Sequence, residues 1–184
     1  MPDDQPAVLL GLITDFEAEL QGECSREYVL CVEGQRLLSA YTLVERIDKA
    51  VAPKTWKYLS RLARREIEEA GKCLAFERYT ASGFHILRCI EAITKEYIGA
   101  CGRTLSPSDR NWGKYAEILR ENHAAPEVVS ILDSIRTDDR NPLMHPEKFL
   151  DMDEAIGLFN LSQTALDRLI SDMERRGFAK EFTP

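Results

Sequence analysis

Arg140, Asn141 and His145 stand within one short run, Arg140-Asn141-Pro142-Leu143-Met144-His145, and their types suit the cutting of a phosphodiester without a metal. Cleavage of RNA through its own 2′-hydroxyl needs a base for the 2′ proton, a cation for the charge on the phosphorane, and a proton for the leaving 5′ oxygen. His145 suits either proton transfer, because an imidazole titrates near neutral pH. Arg140 suits the phosphorane: its planar fork holds two non-bridging oxygens, more strongly as charge builds in the transition state. The Asn141 amide can donate to the phosphate or orient the imidazole. The products would be a 2′,3′-cyclic phosphate and a 5′-hydroxyl. The chemistry uses the 2′-hydroxyl, so it addresses RNA and not DNA.

Geometry constrains this set. Residues five apart on a regular α-helix lie roughly 140° apart around the axis and cannot both face one phosphate. Either Pro142 bends the segment and brings Arg140 to His145, or two copies of the chain share a cleft about a two-fold axis. Glu91 is the supporting candidate. It falls among apolar positions of a long helical stretch, where a carboxylate needs a partner. Arg140 or His145 would make it a positioning group; Arg36 or Arg136 would make it a structural one. Arg88, one turn earlier, reads as solvated. His85 reads as a satisfied, partly buried imidazole and His123 as an exposed loop residue. Trp56, Tyr79 and Trp112 read as packing aromatics, since few basic residues interleave with them.

The elements that must carry these residues are helical. Leu9, Ile13, Phe16 and Leu20 repeat at spacings of four, three and four, one apolar face of a helix over about Val8 to Leu20. Gly22 interrupts, Tyr28 to Val32 has the local pattern of a lone strand, and residues 36–51 fit a short strand pair or, better, a helix. Thr55 suits the N-cap of a helix running to about Glu77, with Leu59, Leu62, Ala63, Ile67, Ala70 and Leu74 inward. Arg61, Arg64, Arg65, Glu66, Glu68 and Glu69 then form a solvated charged face. Ser82 to Ala100 carries two adjacent apolar stripes, Ile86-Ile90-Ile93-Tyr97 and Phe84-Leu87-Thr94-Ile98, the wide arc of a central bundle helix. Short helices follow over Trp112 to Glu121 and Pro126 to Arg136. Residues 137–150 hold the motif and two prolines, which argues against a continuous helix. A last helix spans Asp151 to Arg176, closed by Gly177, ahead of a frayed tail to Pro184.

Composition frames the rest. With 184 residues, 44% of them hydrophobic and 30% charged, the chain fits one soluble globular domain. No stretch has the apolar length of a membrane span, and the N-terminal residues are acidic where a secretory signal would be basic. Five cysteines, an odd number without a Cys-x-x-Cys pair, argue against a disulfide framework and a zinc site and fit a reducing cytoplasm. The net charge of −7 opposes any surface that coats nucleic acid, so RNA would have to meet a local basic cleft.

The motif resembles the Arg-x4-His signature, with a polar residue after the arginine, of the HEPN family of small helical bundles, many of them endoribonucleases of toxin and phage-defence systems. The stretch RNPLMHPEKFLDMDEAIGLFNLSQTAL resembles that family's C-terminal half. The stretch IEEAGKCLAFERYTASGFHILRCIEAITKEYI resembles its central helical pair, with a small-residue turn and an Arg-x-x-Glu. Pro142 and Pro146 depart from the usual motif. The resemblance implies an all-α helical bundle with short connections. Residues 55–176 would be its core, and residues 1–54 an extension packed on it within a single domain. It also implies a metal-independent endoribonuclease with no cofactor, catalytic Arg140, Asn141 and His145 in a homodimeric cleft, and an antitoxin or nucleotidyltransferase as a partner. The other reading is a non-catalytic helical module that binds a nucleotide or a protein.

Overall fold

The computed structural model describes residues 5–24 and 39–178, in two compact units, Met1–Val32 and Glu33–Pro184. Every regular element among the described residues is helical, and the architecture is an all-α helical bundle. The strand pattern over 28–32 and the tail 179–184 lie outside the described residues. No described helix is long and apolar enough to cross a membrane.

The first unit contributes α1 (Gln5–Cys24), on which Leu9, Ile13, Phe16 and Leu20 share one face and are exposed. The second unit begins with α2 (Ala40–Glu45), capped by the Ser39 hydroxyl, which accepts from the Thr42 amide at 3.1 Å. Leu43 is fully buried and its carbonyl lies against Gly71, where a Cβ would come within 2.6 Å of it. The boundary drawn at residue 54 therefore falls inside this unit's packed body. A 3-10 turn over Ile47–Lys49 leads to the next helix.

The single helix expected from Thr55 to Glu77 is two helices, α3 (Pro53–Tyr58) and α4 (Arg61–Ala75). The break has a local cause. Pro53 opens α3 at its first turn, and Ser60 is extended, with its hydroxyl accepting from the Ala63 amide at 3.3 Å as the cap of α4. Thr55 is not a cap but a buried hydroxyl that donates to Asp167. Leu62, expected inward, is exposed.

Helix α5 (Tyr79–Ala100) starts three residues earlier than its apolar pattern and packs on both α4 and α9 (Met152–Arg175). Ile86, Ile90, Ile93, Phe159, Leu166 and Ile170 are buried together, as their spacing predicts, each worth about 1.5–3 kcal/mol relative to exposure. Phe84 is partly exposed. Asp151 opens α9 with a capping box: its carboxylate accepts from the Glu154 amide at 2.9 Å, and Glu154 accepts from the Asp151 amide at 3.1 Å. Between α5 and α9 run α6 (Trp112–Glu121), α7 (Pro126–Ser134) and the one-turn α8 (Asn141–Leu143). His123 closes α6 at φ +58°, the left-handed residue of a turn in which the Ala124 amide reaches back to the Leu119 carbonyl.

Candidate functional site

The motif is built on a helix that changes pitch. Helix α7 passes without a break into a π-helical segment, Ile135–Arg140, and then into α8. The expectation that two prolines stop the helix is corrected for Pro142. A proline interior to an α-helix clashes with the carbonyl four residues back and lacks the amide to bond it. Here the Asn141 amide bonds the Arg136 carbonyl, five residues back, so an extra residue sits in the turn just ahead of Pro142. Arg140 and Asn141 keep right-handed helical backbone angles on either side. The helix ends two residues later. The Met144 amide bonds Arg140 O and Asn141 O, each at 3.2 Å, and the His145 amide bonds Pro142 O at 3.0 Å.

The segment is seated on the start of α5. Leu143 is buried against Gly83, where a Cβ would lie 3.1 Å from Leu143 Cδ2 and 2.6 Å from Leu150 Cδ1. The Leu150 amide donates to Thr80 Oγ1 at 3.0 Å. Leu143 and Leu150 therefore hold the motif by its apolar side and turn its polar side outward.

Arg140 is half-buried, while Asn141 and His145 are exposed. Arg140 Nη1 donates to Asn141 Oδ1 at 3.3 Å, its one side-chain partner among the described residues. No hydrogen bond joins Arg140 to His145. The helix continues through Pro142 to Leu143, and His145 lies in the bend that follows. The neighbourhood is acidic as well as basic: burial, and then Asp138 beside it, push the Asp139 carboxyl above the usual carboxylate range.

Glu91 does not meet this segment's side chains. Its carboxylate takes Lys95 Nζ at 2.6 Å and the Tyr115 hydroxyl at 3.2 Å. Burial raises its pKa, but these partners outweigh that and leave the carboxyl below its ordinary value. Of the alternatives weighed, Arg136 pairs with Asp133 at 3.2 Å instead, and Arg36 lies outside the described residues. Glu91 is a structural carboxylate of the α5–α6 contact.

The buried carboxylate with a histidine partner is Glu66, expected on a solvated face. It is 5% exposed, with Oε2 2.8 Å from His85 Nδ1 and Oε1 2.7 Å from Arg88 Nη2. His85 is the satisfied, partly buried imidazole its setting suggests, and Arg88, read as solvated, is an exposed stem with an anchored head. A second charged knot ties the far end of α5 to α9. Asp172 accepts from the Tyr97 hydroxyl at 2.5 Å, the Ala125 amide at 2.7 Å and Arg175 Nη2 at 2.5 Å. Arg176 Nη1 donates to Tyr97 Oη at 2.9 Å and stacks over the Tyr97 ring. The hint for Glu66 was its place between Ala63 and Ile67 on the apolar arc of α4; for Asp172 it was its place one residue before Met173.

Among the described residues, no three His, Cys, Asp or Glu side chains gather as a metal site would require. Comparison with known proteins finds no matching family model, no similar curated protein and no similar solved structure.

Proposed function

We propose that the chain is a HEPN-like, metal-independent endoribonuclease whose Arg140, Asn141 and His145 act in a cleft shared by two copies. The observation that carries the reading is a guanidinium with no ion-pair partner among the described residues, five residues ahead of an exposed imidazole. Arg88, Arg120, Arg136 and Arg175 each meet a carboxylate, whereas Arg140 meets only the Asn141 amide oxygen. A guanidinium left without an acid keeps its donors for a phosphate. In a chain of net charge −7, RNA needs such cations gathered at the site.

The geometry favours a composite site over a self-contained one. Arg140 lies in the helix and His145 in the bend beyond its end, with no hydrogen bond between them, and a second copy would bring an imidazole to each guanidinium. Met144 and Phe149 are exposed on either side of His145, Phe149 at 73%, and supply apolar surface for such an interface. One His145 takes the 2′ proton as the 2′ oxygen attacks phosphorus. The P–O5′ bond breaks, and the partner subunit's His145 gives its proton to the departing 5′ oxygen. Arg140 holds the non-bridging oxygens throughout.

The test is cleavage of total RNA in EDTA by purified wild type, His145→Ala and Arg140→Ala, with the mass of each species measured by sedimentation. Wild type should sediment as a dimer and leave 2′,3′-cyclic phosphate ends. Each variant should lose about a hundredfold or more in rate while remaining folded. Cleavage that survives loss of His145, or that needs magnesium, would refute the assignment. A folded protein that binds RNA or nucleotide without cutting it would establish the binding module instead.

A further inference from the structure

The pairing of Glu66 with His85 leaves one nitrogen of the imidazole unused. Glu66 Oε2 lies 2.8 Å from His85 Nδ1, and Glu66 Oε1 takes Arg88 Nη2 at 2.7 Å. A carboxylate with a guanidinium on its other oxygen acts as an acceptor. The ring proton therefore belongs on Nδ1, and the neutral ring carries its lone pair on Nε2. Nε2 has no hydrogen-bond partner among the described residues. It is not buried either, since the buried unpaired side-chain atoms are Thr94 Oγ1 and Ser162 Oγ. The His85 side chain is 29% exposed, and the edge that carries the lone pair is open to water.

Two features distinguish this imidazole from one kept for packing. Glu66 is fixed in the α4 core face, so it orients the ring from a rigid seat and not from a mobile surface chain. The open side is also cationic. Arg88, one turn along α5, is 63% exposed and has further N–H donors beyond the one on Glu66, and Arg65 is exposed on α4. Glu69, a second carboxylate within electrostatic reach of His85, is occupied by Lys72 at 2.8 Å. An oriented imidazole with a free Nε2 beside a guanidinium is equipped to act as a nucleophile on phosphorus.

We propose that His85 is a phosphoryl acceptor, loaded by a phosphoramidate donor. Nε2 attacks phosphorus and the donor's P–N bond breaks. The electron pair leaves with the donor nitrogen, already protonated, which departs as a neutral amine. The ring becomes an imidazolium whose Nδ1 proton stays on the hydrogen bond to Glu66, while Arg88 meets the phosphoryl oxygens. Glu66 touches no reacting atom and is a positioning residue. The bond made and the bond broken are of one class, so the transfer is reversible and the group can pass on to another acceptor. None of Arg140, Asn141 and His145 takes part, which separates this site from the nuclease reading.

The test is labelling of the full chain with potassium phosphoramidate, the rate at each site being followed by mass spectrometry at alkaline pH, where phosphohistidine survives. The chain has three histidines, and His123 and His145 are the more exposed, so a reagent that reads exposure alone modifies them first. His85 should instead load at least about tenfold faster than either, the effect of one charge-assisted hydrogen bond on a barrier. Glu66→Met should bring His85 down to or below the rates of the other two, and Arg88→Met should slow His85 alone. His85→Gln should remove the fast phase. Loading of His123 or His145 ahead of His85 in wild type, or a His85 rate untouched by Glu66→Met, would each overturn the proposal, and the first of these needs no variant.

Discussion

Replacing Asp172 by alanine should be among the most damaging single changes to the fold. The carboxylate is buried near the end of α9 and gathers three donors from separate parts of the chain: Tyr97 of α5, the Ala125 amide ahead of α7, and Arg175 one turn on. Alanine leaves the Tyr97 hydroxyl and the Ala125 amide without that acceptor in a dry site, at about 1–3 kcal/mol each. Arg175 is largely exposed and can turn to water, so its share is small. The sum is about 2–6 kcal/mol, or roughly 5–20 °C in melting temperature for a domain of this size. Asp172→Asn keeps an acceptor for one or two donors and should cost about half as much. Acid titration gives a second readout. Burial alone would raise the Asp172 pKa, but the Ala125 amide, Arg175 and Tyr97 overcome it and hold the carboxyl below its ordinary value. A carboxyl depressed in the folded state contributes stability that is present above its unfolded pKa, near 4, and lost as the pH falls through the folded value. Wild type should therefore lose stability below about pH 4 more steeply than Asp172→Ala. Urea unfolding followed by circular dichroism measures both effects. A cost under about 1 kcal/mol for alanine, or parallel acid limbs in the two proteins, would refute the account.

Gly83→Ala should cost about 1–3 kcal/mol and reduce RNA cleavage, because the new methyl meets Leu150 Cδ1 at 2.6 Å and unseats the motif from α5; unchanged stability in urea would count against that seating. Glu66→Ala should destabilise by about 2 kcal/mol by emptying its site, whereas Glu66→Met should be near neutral since His85 and Arg88 can both reach water; equal losses in thermal unfolding would show that the ion cluster itself is required. His123→Gly should raise stability by up to about 1 kcal/mol by removing the strain at φ +58°, and a lower melting temperature would contradict it.

The elements were legible wherever burial has one period. Ile86, Ile90, Ile93 and Tyr97 stand on a 3.6-residue repeat and are buried, and the capping box at Asp151 and Glu154 marks the start of α9. What was illegible depends on competing local signals or on another element. Thr55 reads as a cap, but Pro53 opens a short helix ahead of it and Ser60 caps the next one. Glu66 and Glu91 both fall within apolar arcs, yet Glu66 is the buried one, because His85 and Arg88 happen to sit one turn apart on the facing helix and cover it. No periodicity of α4 could announce a partner on α5.

The motif shows the same division between type and arrangement. The cation, the amide and the imidazole were readable from Arg140, Asn141 and His145, and so was the angular problem posed by five residues on a helix. Pro142 suggested a bend as the solution. The structure carries the helix through Pro142, since the Asn141 amide reaches the Arg136 carbonyl and the wider turn accommodates the proline. Leu143 is seated against Gly83, and His145 follows the helix end without a hydrogen bond to Arg140. In the proposed mechanism the two groups at one phosphate come from two copies of the chain. A catalytically active monomer would therefore be as damaging to the proposed mechanism as an inactive dimer, and sedimentation belongs beside the cleavage assay for that reason.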